Sequence, residues 1–437
     1  MLRIYLVLAA ALICVLSYAQ SVEGIDDNIT HNLEEHEMIY KHFHQYPELS
    51  FKEFKTSEKL SDELEKLGFD ITRKIGGNGF VGLLKNGPGP VIMIRTDLDA
   101  LPLQEKTGLP FASKVIMADV DGIEMPVMQA CGHDMHMTVW LGTAKILAAM
   151  KKDWNGTLMM IAQQAEEKSG GADAMIADGL FTRFPVPDYA LAYHVSAVLP
   201  AGKIGYRPGP FLAGVSSVDI TVHGIGGHGA LPHQAVDPVV LASRMVLAYQ
   251  TIPSREINPL EPAVVTVGSI HGGTVHNIIP DEVKMQLTIR YYNEKTYENI
   301  MAGLRRISNG IAESAGLPED MYPEVTSLGQ TPPVINHEKL TNDAVSSFIS
   351  ILGSENVIEV EPLTAGEDFA RYGRTDENVP IAMFWLGTVS REKYAAHQDF
   401  GKDLPGLHNP EFYPDFIPTY KTGVRAMAKA AMDLFNK

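Results

Sequence analysis

The sequence predicts an α/β fold, a mainly parallel sheet with helices on both faces, interrupted by a smaller α+β domain. Three observations predict it. Strand-like and helix-like patterns alternate between residues 79 and 193, the rhythm of βαβ units. Several apolar runs stop abruptly at polar residues, as buried parallel strands do at their carboxyl ends. Beyond Pro208 the texture changes, and Val215-Ser216-Ser217-Val218-Asp219-Ile220-Thr221-Val222 alternates with period two in its second half, as a strand with one wet face should.

Residues 27–40 and 54–67 read as amphipathic helices, separated by the turn His44-Gln45-Tyr46-Pro47-Glu48. Strands follow at 79–84 and 91–95, then a helix at 136–150, a strand at 158–162, a helix at 171–177 and a strand at 189–193. In the altered region the order is a strand, a helix at 238–252, strands at 263–269 and 282–290, and a helix at 294–315. That order predicts one helical layer on a sheet. After Ser327-Leu328-Gly329-Gln330-Thr331-Pro332-Pro333 the α/β character resumes. The predicted organisation is a leader at 1–19, a first catalytic segment at 25–206, an inserted domain at 207–326 and a second catalytic segment at 327–437.

The leader rests on Arg3, an almost wholly apolar stretch at 4–16, and small residues at Ser17 and Ala19. It predicts export, to a periplasm or the medium. No later run reaches about 18 apolar residues, so no membrane partner is expected after its removal. Of the two cysteines, Cys14 falls in the leader and Cys131 remains. A solitary thiol in an oxidising compartment is a liability unless buried or metal-bound. The net charge of −17 becomes −18 once Arg3 is lost, which argues against nucleic acid and anionic membranes as partners.

Four loops at the predicted sheet edge carry metal- or proton-binding residues. One strand ends at Asp97, with Asp99 two residues on. Another runs into Glu166-Glu167, where one carboxylate can hold metal while the other stays free as a base. Tyr189-Ala190-Leu191-Ala192-Tyr193 runs into His194. Cys131-Gly132-His133 places a thiol and an imidazole where both can reach one centre, with His136 on the following helix as a supporting or purely structural group. Asp97 is expected to orient a ligand imidazole. His228 lies in a flexible Gly226-Gly227-His228-Gly229 stretch, and nothing local marks His408. No G-x-S-x-G elbow, H-E-x-x-H helix or phosphate-binding G-x-x-x-x-G-K-[ST] loop competes.

Taken in order, the motifs are His44-x-x-Pro47-Glu48, Arg95-x-Asp97-x-Asp99-Ala100-Leu101-Pro102, Cys131-Gly132-His133-Asp134-x-His136, Ala165-Glu166-Glu167, Gly170-Gly171-Ala172, His194, His228-Gly229-Ala230-x-Pro232-His233 and Gly366-Glu367-Asp368-Phe369. The set resembles peptidase family M20, in particular its subfamily D amidohydrolases, a group with hippurate hydrolase and N-acyl-amino-acid amidohydrolases. The resemblance implies a metallopeptidase-type catalytic domain with an inserted lid or dimerisation domain, and two divalent metal ions. Cys131, His133, Glu167, His194 and His408 match the ligand positions, with Glu166 as general base and Asp97 as a supporting acid. His228, Asn277 and Arg290 match lid positions that bind a substrate carboxylate or oxyanion, and a homodimer is implied. Gln129 and Gln164 depart from the family pattern, which puts substrate choice in doubt rather than catalysis.

The implied reaction is hydrolysis of an amide bond in an N-acyl amino acid or similar small conjugate. An exopeptidase acting on dipeptides through the same site is the alternative, and an exported small-carboxylate binding protein a distant one. The mixed sulfur, nitrogen and oxygen donors suit zinc or manganese, with cobalt and nickel compatible.

Overall fold

The computed structural model describes residues 2–119 and 121–437, and the side chains from residue 23 onward. The predicted leader at 1–19 lies outside the described side chains. Among the described residues no helix is long and apolar enough to cross a membrane.

The chain divides into two compact units: Met1–Gly209 with Ile335–Glu361 and Arg371–Lys437, and Pro210–Val334 with Pro362–Ala370. The predicted insertion at 207–326 overlaps the second unit. Its predicted end at 326 falls inside the strand Glu324–Thr331, which pairs antiparallel with Gly214–His223. This fourth strand is mostly exposed, so it lacks the apolar alternation that would announce it.

The first unit holds an eight-stranded sheet. In chain order the strands are β1 (Asp70–Ile75), β2 (Gly79–Asn86), β3 (Val91–Asp97), β4 (Gly156–Gln163), β5 (Tyr189–Pro200), β6 (Ile204–Tyr206), β7 (Val357–Glu359) and β8 (Ile381–Val389). Across the sheet they run β1-β2-β4-β3-β5-β8-β6-β7. The central four, β4, β3, β5 and β8, are mutually parallel. Their residues are nearly all buried, because helices cover both faces. Among these helices α1 (Leu2–Gln45) and α2 (Phe54–Lys66) pack on α3 (His133–Ala149), and so does Phe416–Phe435. The indole of Trp140 in α3 donates to the Ile94 carbonyl of β3 at 2.9 Å, tying helix to sheet at its centre.

Two differences from the sequence reading concern the site. The run 189–193 predicts a strand that stops before His194, yet β5 continues to Pro200 alongside β8, with His194 opposite Trp385 and the register shifting only beyond Ser196. Pairing with a partner strand carries it past the polar residue that periodicity takes as an end. The helix predicted at 136–150 begins at His133, so His133 belongs to its first turn. Gly132 precedes it at φ +77°, and a Cβ there would sit 2.6 Å from Val195 Cγ2, so only glycine fits.

The second unit is an antiparallel sheet of Gly214–His223, Val264–Gly272, Glu282–Tyr291 and Glu324–Thr331, with helices Pro238–Tyr249 and Glu294–Ser314 packed on it. Buried and exposed residues alternate along Gly214–His223 and Glu282–Tyr291, as expected for a sheet with one covered face.

Candidate metal centre

The parallel strands β3 and β4 end together, and the chain leaves them toward Asp99 and Glu166-Glu167. Cys131 and His133 arrive from the start of α3, His194 from within β5, and His408 from a loop whose amide donates to the Ala130 carbonyl at 2.8 Å. His408 has φ +61°, an uncommon conformation for a residue with a side chain.

These five residues come together. Cys131 Sγ lies 3.5 Å from His194 Nε2. Glu167 Oε1 lies 3.8 Å from His133 Nε2 and 3.5 Å from His408 Nε2. Glu166 Oε2 is 3.9 Å from His133 Nε2. Cys131, His133 and His194 form one compact donor group, and Cys131, Glu167 and His408 another, sharing the thiol.

The polar groups fit metal rather than one another. His133 Nδ1 donates to the Asp99 carbonyl at 2.8 Å and His194 Nδ1 to the Val195 carbonyl at 2.9 Å, which leaves each Nε2 as the atom facing the cluster. His133 Nε2 and Glu167 Oε1 are buried without a hydrogen-bond partner among the described residues. Two orphaned buried polar atoms facing each other would be costly unless a further group joins them. A thiol, imidazoles and carboxylates are together a donor set for zinc-like cations.

The electrostatics agree. Burial, then the charges of Glu167 and Glu166, push the Cys131 thiol well up. Burial alone would lower His133, but Asp97, Asp99 and Glu167 outweigh it and raise the ring to about 10. His194 is driven down by burial and by the neighbouring rings of His136 and His133. A divalent cation would invert the first two, since both donors must release a proton to bind it.

Asp97 needs correction. Its Oδ1 lies 2.7 Å from His136 Nδ1 and 3.8 Å from His133 Nδ1, and its Oδ2 accepts from Arg95 at 2.7 Å. The histidine it orients is therefore His136, not a donor ring. His136 Nε2 in turn accepts the Val195 amide at 2.8 Å, so both its nitrogens are used. His136 thus acts on the strand that carries His194. The backbone carbonyl of Asp99 holds His133 instead, which no residue pattern reveals.

Sequence reasoning did not single out Glu53 or Glu105, and gave Asp99 and His44 no role of their own. Buried Glu53 accepts the amides of Ala165 and Phe51, both at 2.8 Å. The Asp99 carboxylate accepts the amides of Glu166 and Glu167 at 3.1 and 3.0 Å. His44 bridges Asp134 Oδ2 at 2.7 Å and Glu105 Oε1 at 3.1 Å, all buried, tying α1 to the start of α3. Burial opposes its charge, but the two carboxylates raise it to about 9. Of the two departures from the family pattern, Gln164 donates to the Gly76 carbonyl at 2.6 Å. Gln129 is buried with neither end of its amide bonded among the described residues.

The expected lid residues lie in the second unit. The strand pair Gly227–His228 with Ile278–Ile279 and a bond from the Gly229 amide to the Asn277 carbonyl (2.9 Å) bring the His228 and Asn277 loops together. Arg290 donates to the carbonyls of Thr364 and Ile289 and to the Thr288 hydroxyl.

Residues 93–433 match the peptidase family M20/M25/M40. The chain is 34% identical over 409 residues to thermostable carboxypeptidase 1 of Saccharolobus solfataricus, covering 91% of this chain and 95% of that protein. It is 36% identical over 337 residues to the hippurate hydrolase of Campylobacter jejuni, covering 77% and 84%. A solved Bacillus subtilis structure, named a dinuclear metal binding peptidase from the M20 family, superposes with a TM-score of 0.75 at 28% identity, covering 92% of this chain and 98% of that one.

Proposed function

The chain belongs to peptidase family M20/M25/M40 and is a metal-dependent hydrolase, and on that premise we propose that it cleaves the amide bond of N-acyl amino acids or similar small conjugates. The observation that carries the reading is the meeting of Cys131, His133, Glu167, His194 and His408 around orphaned buried atoms, with Glu166 beside them. Those five residues would hold two divalent ions, zinc or manganese, with cobalt and nickel suited to the same donors. Such ions supply polarisation of the scissile carbonyl and acidification of water when bound.

The chain's own part is proton transfer and orientation. A carboxylate oxygen of Glu166 takes a proton as water attacks the acyl carbon, then hands it to the nitrogen as the C–N bond breaks. His133 and His194 keep their Nε2 atoms aimed at the cluster because their Nδ1 protons are already donated. Substrate-binding roles fall to His228, Asn277 and Arg290. No carboxylate is bonded to Arg290 among the described residues, which suits a guanidinium kept for a substrate carboxylate. We also propose that residues 1–19 direct export to the periplasm or medium, and that the enzyme works as a homodimer.

A second reading, a carboxypeptidase or dipeptidase using the same site, is favoured by the relative named a carboxypeptidase. A panel of N-acetyl- and N-benzoyl-amino acids beside dipeptides, assayed with zinc and with manganese, tests the choice. Faster turnover of the acylated compounds is expected. Preference for dipeptides would replace the first reading with the second.

A further inference from the structure

Three consecutive backbone amides in the first unit are held by two buried carboxylates from distant parts of the chain. Ala165 N–H donates to Glu53 Oε1 at 2.8 Å, Glu166 N–H to Asp99 Oδ1 at 3.1 Å and Glu167 N–H to Asp99 Oδ2 at 3.0 Å. Both acids are fully buried. Glu53 Oε1 also accepts the Phe51 amide at 2.8 Å, its Oε2 accepts Asn78 at 3.0 Å, and Asp99 Oδ2 takes the Ser50 hydroxyl at 2.6 Å. Neither carboxylate is bonded to a lysine or arginine among the described residues. The imidazole of His133 is the cation-forming group beside them, its Nδ1 3.5 Å from Asp99 Oδ1; Glu53, held by amides and Asn78 instead, costs stability where it is buried.

The segment they grip is strained. Ala165 and Ser169 both have φ +50°, on either side of the Glu166–Lys168 turn. A residue with a side chain pays on the order of 1 kcal/mol to adopt that conformation. Without acceptors the amides of Ala165 and Glu166 would be buried and unsatisfied, and the turn would relax. With them the amides are satisfied, and the side chains of Glu166 and Glu167 come within 3.9 and 3.8 Å of His133 Nε2.

We propose that Glu53 and Asp99 are positioning residues of the metal centre: they clamp the amides of Ala165, Glu166 and Glu167 so that the base and the adjoining ligand face His133. The proposal rests on the reading of Glu166 as base and Glu167 as ligand. Among the described residues Glu53 is hydrogen-bonded to none of the donor side chains; it acts through the backbone. It lies in the sequence Pro47-Glu48-Leu49-Ser50-Phe51-Lys52-Glu53, where a charged residue before a helix otherwise reads as a solvated cap.

The test is cobalt(II) titration of the full chain against a chromophoric chelator, with the visible spectrum of the loaded protein and steady-state kinetics on an N-acyl amino acid. Glu53→Ala should weaken cobalt binding by about 10–100-fold, the usual effect of removing a group that orients ligands. It should also change the cobalt absorption and lower kcat more than it raises KM. Glu53→Gln, which keeps an oxygen for the Ala165 amide, should restore the cobalt spectrum. A folded Glu53→Ala protein with wild-type cobalt affinity and spectrum overturns the clamp, even if its activity falls. Should Glu53→Ala not fold, Asp99→Asn serves, because it keeps one acceptor of two; wild-type cobalt binding and spectrum there overturn the proposal equally. Wild-type protein that takes up no cobalt removes the metal-centre reading itself, a result distinct from any behaviour of the variants.

Discussion

The five donors of the cluster differ in how firmly the fold holds them. Cys131, His133 and His194 are at most 7% exposed and sit on a helix start and a central strand. The two rings are fixed by bonds from their far nitrogens. His408, by contrast, has a side chain 55% exposed, on a loop tied to Ala130 by one backbone bond. Glu167 lies between, reaching His133 on one side and His408 on the other. One half of the centre is thus set by the packed core before any ion arrives, and the other half is presented from the surface. Damage to the buried half should register as lost stability as well as lost metal, whereas damage to the exposed half should register as lost metal alone.

The largest expected effect lies outside both halves. Glu166→Gln should lower turnover by roughly 10²–10⁴-fold, the range for removing a positioned base, with metal content unchanged by elemental analysis. Retained activity in the metal-loaded variant would dismiss Glu166 as the base. Next comes the brace beneath the buried half. His44→Ala leaves Asp134 and Glu105 buried without their cation and should cost about 3–5 kcal/mol in urea unfolding. His44 is raised from the usual 6.5 to about 9 by those two carboxylates. Its contribution is therefore fully present below pH 6.5 and is lost as pH rises through about 9. A stability profile of the wild type minus that of His44→Ala, flat across this window, would contradict it.

Gly132→Ala should cost about 1–3 kcal/mol, since the residue must keep φ +77° while its Cβ meets Val195. Thermal unfolding checks it, and an unchanged melting temperature would mean that the helix start is not rigid. Smallest in stability is His408→Ala, expected within about 0.5 kcal/mol of wild type for an exposed side chain. Its effect should appear in metal content, because a donor has gone. Across all of these, cobalt affinity of the wild type should rise with pH, since Cys131 and His133 are both held protonated when no cation is bound.

Much of this centre was legible because the chemistry follows strand ends. Buried parallel strands are continuous apolar runs, so Asp97, Glu166-Glu167 and the approach to His194 stand out as the places where such runs break. The four strands of the second unit's main sheet were less evenly visible: Glu324–Thr331 is exposed at all but three of its positions and reads as linker. Partners that come from elsewhere in the chain were hidden. Nothing near Asp97 says that it meets His136 rather than His133, because that depends on a helix beginning at His133 and not at His136. Glu53 and Glu105 look like surface charges until the fold buries them against Ala165 and His44. Periodicity reports which face is covered, not which buried amide a carboxylate will find.

The most direct measurement is elemental analysis of the purified, reloaded protein and of its Cys131→Ala and His408→Ala variants. Two divalent ions per chain are expected in the wild type, with fewer in both variants and a loss of folding stability only in Cys131→Ala. A wild-type chain without stoichiometric metal, or one whose content ignores both substitutions, would contradict a centre built on these five side chains.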